Sequence, residues 1–399
     1  MKVAVIKLGS RISFNANDTS GGNGEARSII KMLKEGGADV HIYTKILKKD
    51  NLVEDYKWHN LTDILEKGYT SWHGPTFSGL PGTHLPLQTD GPTIFPYDAL
   101  VVLNGNVNFF GGAEDPEQLL NYQIINAFDG PVYYIFCDPE LTLKQVWPSV
   151  KKKEWGSKWT EKQLNITRTD ITYLSQPHDV EKVLADFGKN EVGPKNIIHF
   201  PFEKFPCLNE QLPFNPTPKV DLSYGGTMRG GKRIKKMVKF YFGHPSDISV
   251  EMFGKIDSED FDKLKGTPGL PPGTREPTFT GAVRYDEMLP KMNEAMAHCV
   301  IGDPWYEDIN DMAQRAYESI WSNVVTFIDI DLDQLRRVYG ADPQLADFLY
   351  VSTRQELSEK IQLLKTDIEL RRHIVEAQLA AINFDAKLYC TSFVNLLKG

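Results

Sequence analysis

Along the chain, short unbroken runs of apolar residues alternate with stretches whose apolar positions recur every three or four residues. That rhythm predicts a parallel sheet with crossover helices. In the first half the predicted strands are VAVIKL at 3–8, ADVHIYT at 38–44, ALVVLN at 99–104, VYYIFC at 132–137 and DITYLS at 170–175. Helices are expected at 117–127 and at 25–36, where Ile29, Ile30 and Leu33 form an apolar stripe.

A proline-rich passage, LPFNPTPKV at 212–220, interrupts this rhythm, which then starts afresh. Strands follow at VDLSYG 220–225, ISVEMFG 248–254, HCVIGD 298–303 and VVTFID 324–329, with helices near 229–241, 309–321 and 354–386. The expected fold class is therefore α/β, two doubly wound domains facing a central cleft. Ligands of such folds bind beyond the carboxyl ends of the strands. Residues 48–97 break the pattern, being rich in Gly, Pro and aromatics, and read as an insertion on the first domain. A loop that long is more often functional than idle.

The length of 399 residues leaves room for two or three domains, each with its own core. No apolar stretch reaches the roughly 18 residues of a membrane span. MKVAVIKLGS is too short an apolar run for a signal peptide and reads as a first strand. Cys137, Cys207, Cys299 and Cys390 are scattered without a metal-type pair, as expected of reduced thiols in a cytoplasmic protein. A net charge of −8 argues against a general nucleic-acid binder. The bases are uneven, however. Arg229, Lys232, Arg233, Lys235, Lys236 and Lys239 follow one another without an acid, and Lys151, Lys152 and Lys153 stand beside Trp155 and Trp159. Such runs fit either a solvated face or a groove for DNA.

Candidate chemistry gathers at strand ends. DLSYGGTMRGGKRIKKMVKF at 221–240 joins a strand to a helix through glycines, a hydroxyl and two arginines. A helix N-terminus attracts anions, and Arg229 and Arg233 would share one helical face able to fork onto phosphate oxygens. The same stretch also fits a plain joint with a basic surface. Arg315 and Glu318, three residues apart, would suit a phosphate and a ribose, and equally an ion pair on a helix surface. Asp138, before Pro139, is a candidate base or a turn-former, and Glu25 a candidate acid or a charge complement to its helix. In NFFGG at 108–112 the phenylalanines fit a core tuck or a wedge against bases. DIDLD at 329–333 matches the Asp-x-Asp metal pattern but follows a strand and reads better as a loop.

The stretches MKVAVIKLGS, NVNFFGG, YYIFCDPELTLKQVWPSVKKKEW, YGGTMRGGKRIKKMVKF, EMFG, FTGAV, and IGDPWYED followed by RAYES are spread in order over nearly the whole chain. Together they resemble the DNA β-glucosyltransferases of T-even phages, which glucosylate 5-hydroxymethylcytosine. The resemblance implies two Rossmann-like domains of the GT-B type, at 1–214 and 215–375, with a final helix at 376–399 crossing back to the first. It implies a UDP-sugar donor, with Mg²⁺ or Mn²⁺ held through the diphosphate and no dedicated protein metal site. The implied partner is double-stranded DNA carrying 5-hydroxymethylcytosine. A monomer without membrane contact, in the cytoplasm of an infected host, is expected.

By the same resemblance Asp138 is the general base and Glu25 an acid beside the sugar. Gly226, Thr227, Arg229 and Arg233 form the diphosphate cradle, with Arg315 on phosphate and Glu318 on ribose. Phe253, Gly254 and Val283 surround the uracil, and Gly21, Asp303 and Tyr306 complete the donor set. Asn108, Phe110, Gly111 and Gly112 enter DNA beside the flipped nucleotide, and Lys151, Lys152 and Lys153 lie on the DNA side. The chain departs from the family at Thr227, at one extra residue between Asp303 and Arg315, in the longer loop SFNANDTSGGNGEAR and in the insertion. These changes fall around sugar and acceptor. Glucose is the expected sugar, with arabinose or another pentose as the alternative. A protein that binds modified DNA or nucleotide sugar without turnover, and a transferase with another acceptor, are the competing classes.

Overall fold

The structure is a computed structural model. It describes residues 1–8, 11–14, 21–46, 52, 54–61, 97–103, 121, 124–126, 128–136, 170–176, 196–226, 232–254, 274–302, 306–307 and 311–399. The chain forms two compact units, Met1–Pro201 with Lys387–Gly399, and Phe202–Ala386.

The first unit holds a parallel sheet of β1 (Lys2–Lys7), β2 (Asp39–Thr44), β3 (Lys57–Asn60), β4 (Ala99–Leu103), β5 (Val132–Phe136), β6 (Thr172–Ser175) and β7 (Asn196–His199). Their order is β3-β2-β1-β4-β5-β6-β7, so the winding reverses between β1 and β4. Val3 pairs with Val40 on one side and with Ala99 on the other. β4 is buried along its whole length and β1 at all but its first residue, which is why both read as continuous apolar runs. The helix Gly21–Glu35 follows β1 and buries Ile29, Ile30 and Leu33. It starts four residues earlier than its stripe predicts.

The last helix, Ala386–Leu396, packs on this first unit. The Phe393 ring lies 5.0 Å from that of Phe200, and the Tyr389 hydroxyl donates to the Pro201 carbonyl at 2.8 Å. Gly36 allows the approach, because a Cβ there would stand 2.5 Å from the Cys390 carbonyl oxygen and the Val394 side chain.

The second unit carries β8 (Val220–Gly225), β10 (Val250–Phe253), β12 (Thr278–Phe279), β13 (Ala295–Val300), β14 (Val325–Asp329) and β15 (Tyr350–Val351), with a small ribbon of β9 (His244–Pro245) and β11 (Thr274–Arg275). The main sheet is ordered β12-β10-β8-β13-β14-β15, and its pairings are parallel. Its winding reverses between β8 and β13. Phe240, Tyr241, Phe327 and Tyr339 are fully buried in its core.

The two units part at 201/202. The 3₁₀ turn Phe202–Leu208 buries Phe202 and Phe205 and packs on the helix Gln314–Trp321. Beyond it, the Trp321 indole donates to the Asn209 carbonyl at 2.8 Å, and Arg371 donates to the Asn215 and Pro216 carbonyls at 3.1 and 2.8 Å. The proline-rich passage is thus fastened to the second unit. The long helix expected at 354–386 is two helices, Arg354–Thr366 and Ile368–Ile382, and both remain in the second unit. Asp367 divides them by capping the second, accepting from the Leu370 amide at 2.8 Å.

Candidate functional site

β8 and β10 end side by side in a corner built from glycines. Gly226 (φ +154°) and Gly254 (φ +135°) adopt backbone angles that favour glycine. A Cβ on Gly225 would stand 2.5 Å from the Phe253 ring, and one on Gly254 would overlap the Gly226 carbonyl oxygen. These two glycines let the strand ends pack on each other. Gly226 differs, because a Cβ there would meet only the Tyr224 ring and hydroxyl, nearest at 3.2 Å. The Gly226 amide donates to the Phe253 carbonyl at 3.0 Å and the Gly254 amide to the Gly281 carbonyl at 2.8 Å. The Phe253 ring is fully buried against Met292 and Val324, with half-buried Val283 packed on the same cluster. Thr227, Arg229 and Asp303 lie outside the described residues.

The basic stretch continues as the helix Lys232–Tyr241, which carries half-buried Arg233. Two of its lysines face carboxylates of the same unit. Lys236, 13% exposed, donates to fully buried Asp329 at 2.6 Å and to Glu307. Lys239 approaches Asp329 and Asp331, each at 3.9 Å. Burial opposes the Lys236 charge, but the carboxylates of Asp329 and Glu307 outweigh it and raise its pKa. The aspartates of DIDLD are engaged in the same way. Asp333 accepts from the Val338 amide at 3.1 Å and from the Tyr350 hydroxyl at 2.5 Å. Among the described residues no group of three His, Cys, Asp or Glu could hold a metal ion.

Arg315 and Glu318 sit on the helix Gln314–Trp321, with Nη1 and Oε2 2.6 Å apart and side chains 25% and 9% exposed. This is no surface pair. Their contact lacks the angles of a hydrogen bond, so both buried atoms keep hydrogen-bonding capacity. A guanidinium and a carboxylate in that condition, in the unit whose β8 runs into Gly226, fit the phosphates and ribose of a nucleoside diphosphate. Tyr306 is half-buried against the same core, and its carbonyl accepts from the Asp311 amide at 2.8 Å. Two further polar residues escaped sequence reasoning. Ser223 on β8 and His298 on β13 are fully buried, with Oγ and Nδ1 3.3 Å apart. Burial, and then the Arg315 charge, push the His298 pKa down to about 3.

In the first unit, Gly21 heads the helix Gly21–Glu35, and half-buried Glu25 stands one turn inside it rather than at its start. Asp138, Asn108, Phe110, Gly111, Gly112, Lys151, Lys152 and Lys153 lie outside the described residues. So does most of the 48–97 insertion, apart from the stretch that supplies β3. The described cysteines, Cys207, Cys299 and Cys390, are free and buried. No helix among the described residues is long and apolar enough to cross a membrane.

A family model described as bacteriophage T4 β-glucosyltransferase matches residues 88–210. The DNA β-glucosyltransferase of Enterobacteria phage T4 is 32% identical over 292 residues, 72% of this chain and 78% of that protein. A solved structure of the T4 phage enzyme in complex with UDP and Mn²⁺ superposes with a TM-score of 0.71 at 25% identity, covering 100% of both chains. An α-glucosyltransferase solved with UDP-glucose and DNA containing an abasic site shares the fold, with a TM-score of 0.62 at 11% identity and 100% of both chains covered. The two-domain, parallel-sheet GT-B architecture is common to them. The chain belongs to the bacteriophage T4 DNA β-glucosyltransferase family.

Proposed function

We propose that this protein transfers glucose from UDP-glucose to the hydroxymethyl oxygen of 5-hydroxymethylcytosine in double-stranded DNA, inverting the anomeric carbon. The observation that carries this reading is the pair of half-buried Arg315 and buried Glu318, in a chain 32% identical to the T4 enzyme. The target nucleotide leaves the stack, because a hydroxymethyl group inside a duplex cannot reach an enclosed site. Its oxygen attacks the anomeric carbon while the bond from that carbon to the β-phosphate oxygen breaks. The proton goes to the Asp138 carboxylate, a step for which positioned bases typically supply about 10²–10⁴-fold. The negative charge goes to departing UDP, where Arg229, Arg233 and Arg315 stabilise it, with Thr227 beside the diphosphate. Glu318 accepts from the ribose hydroxyls, and Glu25 contacts the sugar. Asn108, Phe110, Gly111 and Gly112 enter the DNA, and Lys151–Lys153 meet its backbone. The T4 enzyme has been solved with UDP and Mn²⁺, and a divalent ion carried here by the diphosphate would neutralise part of the leaving charge.

The test is incubation of the protein with 5-hydroxymethylated or plain DNA and UDP-glucose or UDP-arabinose, followed by mass spectrometry of the nucleosides. A hexose on hydroxymethylcytosine alone is expected. A pentose would change the donor, and no modified nucleoside would overturn the reading. Asp138→Asn is expected to keep UDP binding and lose turnover by about the 10²–10⁴-fold that a general base supplies.

A further inference from the structure

The sheet of the second unit reverses its winding between β8 and β13, and such switch points are where doubly wound folds receive ligands. The two strands that meet there each bury a polar side chain, Ser223 on β8 and His298 on β13. Ser223 and His298 are cross-strand neighbours in register, and His298 is likewise in register with Thr326 on β14. Parallel partners in register point to one face. The helix Gln314–Trp321 packs against β13 and β14. The Thr326 hydroxyl donates to the Ser319 hydroxyl at 2.9 Å, and Ser319 donates in turn to the Arg315 carbonyl at 3.0 Å. The helix that carries Arg315 and Glu318 therefore rests on a polar row, with Arg315 about one turn, or roughly 6 Å, further along than Ser319.

Within this row one ring nitrogen has no hydrogen-bond partner. His298 is fully buried, its Nδ1 faces the Ser223 hydroxyl, and its Nε2 is left without one. The buried Arg315 Nη1 and Glu318 Oε2 likewise lack a bond of proper geometry. Unsatisfied capacity of this kind is costly and uncommon in a core. From the in-register seating of His298 at the switch point and its unpartnered Nε2, we infer that His298 is a positioning residue of the donor site. With its proton on Nδ1 toward Ser223, its Nε2 lone pair accepts from the Arg315 guanidinium when a nucleoside diphosphate occupies the site.

The chemistry favours an imidazole here. Once Glu318 turns to ribose hydroxyls and Arg315 to phosphate, the inner guanidinium N–H groups need an acceptor below them. A carboxylate in that place would neutralise Arg315 and weaken its hold on phosphate. A neutral imidazole accepts the hydrogen bond and leaves the positive charge for the ligand. Burial and the Arg315 charge keep His298 in that neutral form.

This inference rests on the donor-site reading above, and the experiment separates the two. UDP is titrated calorimetrically into the full-length protein and into His298→Phe, His298→Gln and His298→Asn. A Gln carbonyl can stand where Nε2 stands, whereas an Asn amide reaches only the Nδ1 position. His298→Phe and His298→Asn are expected to bind UDP about tenfold more weakly, and His298→Gln near the level of the unsubstituted protein. Unchanged affinity in His298→Phe, or equal affinities in the Gln and Asn variants, would overturn the inference. Should His298→Phe not fold, the Gln–Asn contrast alone decides. Failure of the unsubstituted protein to bind UDP would remove the donor-site reading itself.

Discussion

Arg233 and Lys236 stand three residues apart on one helix and have different tasks. Lys236 is spent on Asp329 and Glu307 inside the protein, whereas half-buried Arg233 is proposed for phosphate by its match to the family's cradle. Arg233→Ala is expected to weaken UDP binding by at least about tenfold, the loss of one charge-assisted hydrogen bond. An unchanged dissociation constant would take Arg233 out of the donor site. The buried histidines have a different consequence. His298 falls from its ordinary 6.5 to about 3, and burial lowers His244, whose ring lies between the Ser358 hydroxyl and the Phe240 carbonyl at 2.8 and 2.7 Å. Below pH 6.5 the unfolded chain binds protons at these positions that the folded chain refuses. Their stabilising contribution is complete above that pH and declines as pH falls toward the folded values, by up to about 1.4 kcal/mol per unit per group. Urea melts at pH 7.5 and 5.0 should show the decline, and His298→Gln should make it shallower. Equal midpoints for the unsubstituted protein would refute this account.

At the scale of elements, the cluster of Lys236, Asp329 and Glu307 joins the helix Lys232–Tyr241 to the end of β14 and to the residue after Tyr306. Lys236→Met leaves the fully buried Asp329 carboxylate, among the described residues, with Lys239 at 3.9 Å and the Asp331 amide at 3.4 Å, and a loss of about 3–5 kcal/mol is expected. Adding Asp329→Asn should recover part of it, because the pair is then removed rather than broken; thermal melts of the single and double variants measure both. The same cluster shows what a sequence withholds. The lysine run and DIDLD lie about ninety residues apart, so neither stretch alone reveals that each neutralises the other. The central strands are legible because burial on both faces leaves them no polar alternation. β3 and β7 are not, being four-residue edge strands, KWHN and NIIH, with polar or exposed positions. The break at Asp367 is signalled only by a cap inside a helical pattern. Arg233, Arg315 and Glu318 are legible from spacing and resemblance, whereas Ser223 and His298 meet across 75 residues and carry no motif.

For the whole molecule, the chain returns at its end to the unit where it began. Met1–Pro201 is completed by Lys387–Gly399, while Phe202–Ala386 carries Arg233, Arg315 and Glu318. A perturbation of the last helix and a ligand of the donor site therefore act on different cores. Phe393 is fully buried against Phe200, and Phe393→Ala should lower the stability of the first unit by about 3–5 kcal/mol through lost burial and the cavity left behind. UDP should raise the stability of the second unit alone, by about 2.7 kcal/mol at a hundredfold excess over its dissociation constant. Scanning calorimetry of the unsubstituted protein and Phe393→Ala, each with and without UDP, measures both effects. The substitution is expected to move one transition and the nucleotide the other. A single transition that both move together would mean that the two cores unfold as one, and that binding at the donor site is felt by the unit bearing Glu25 and Asp138.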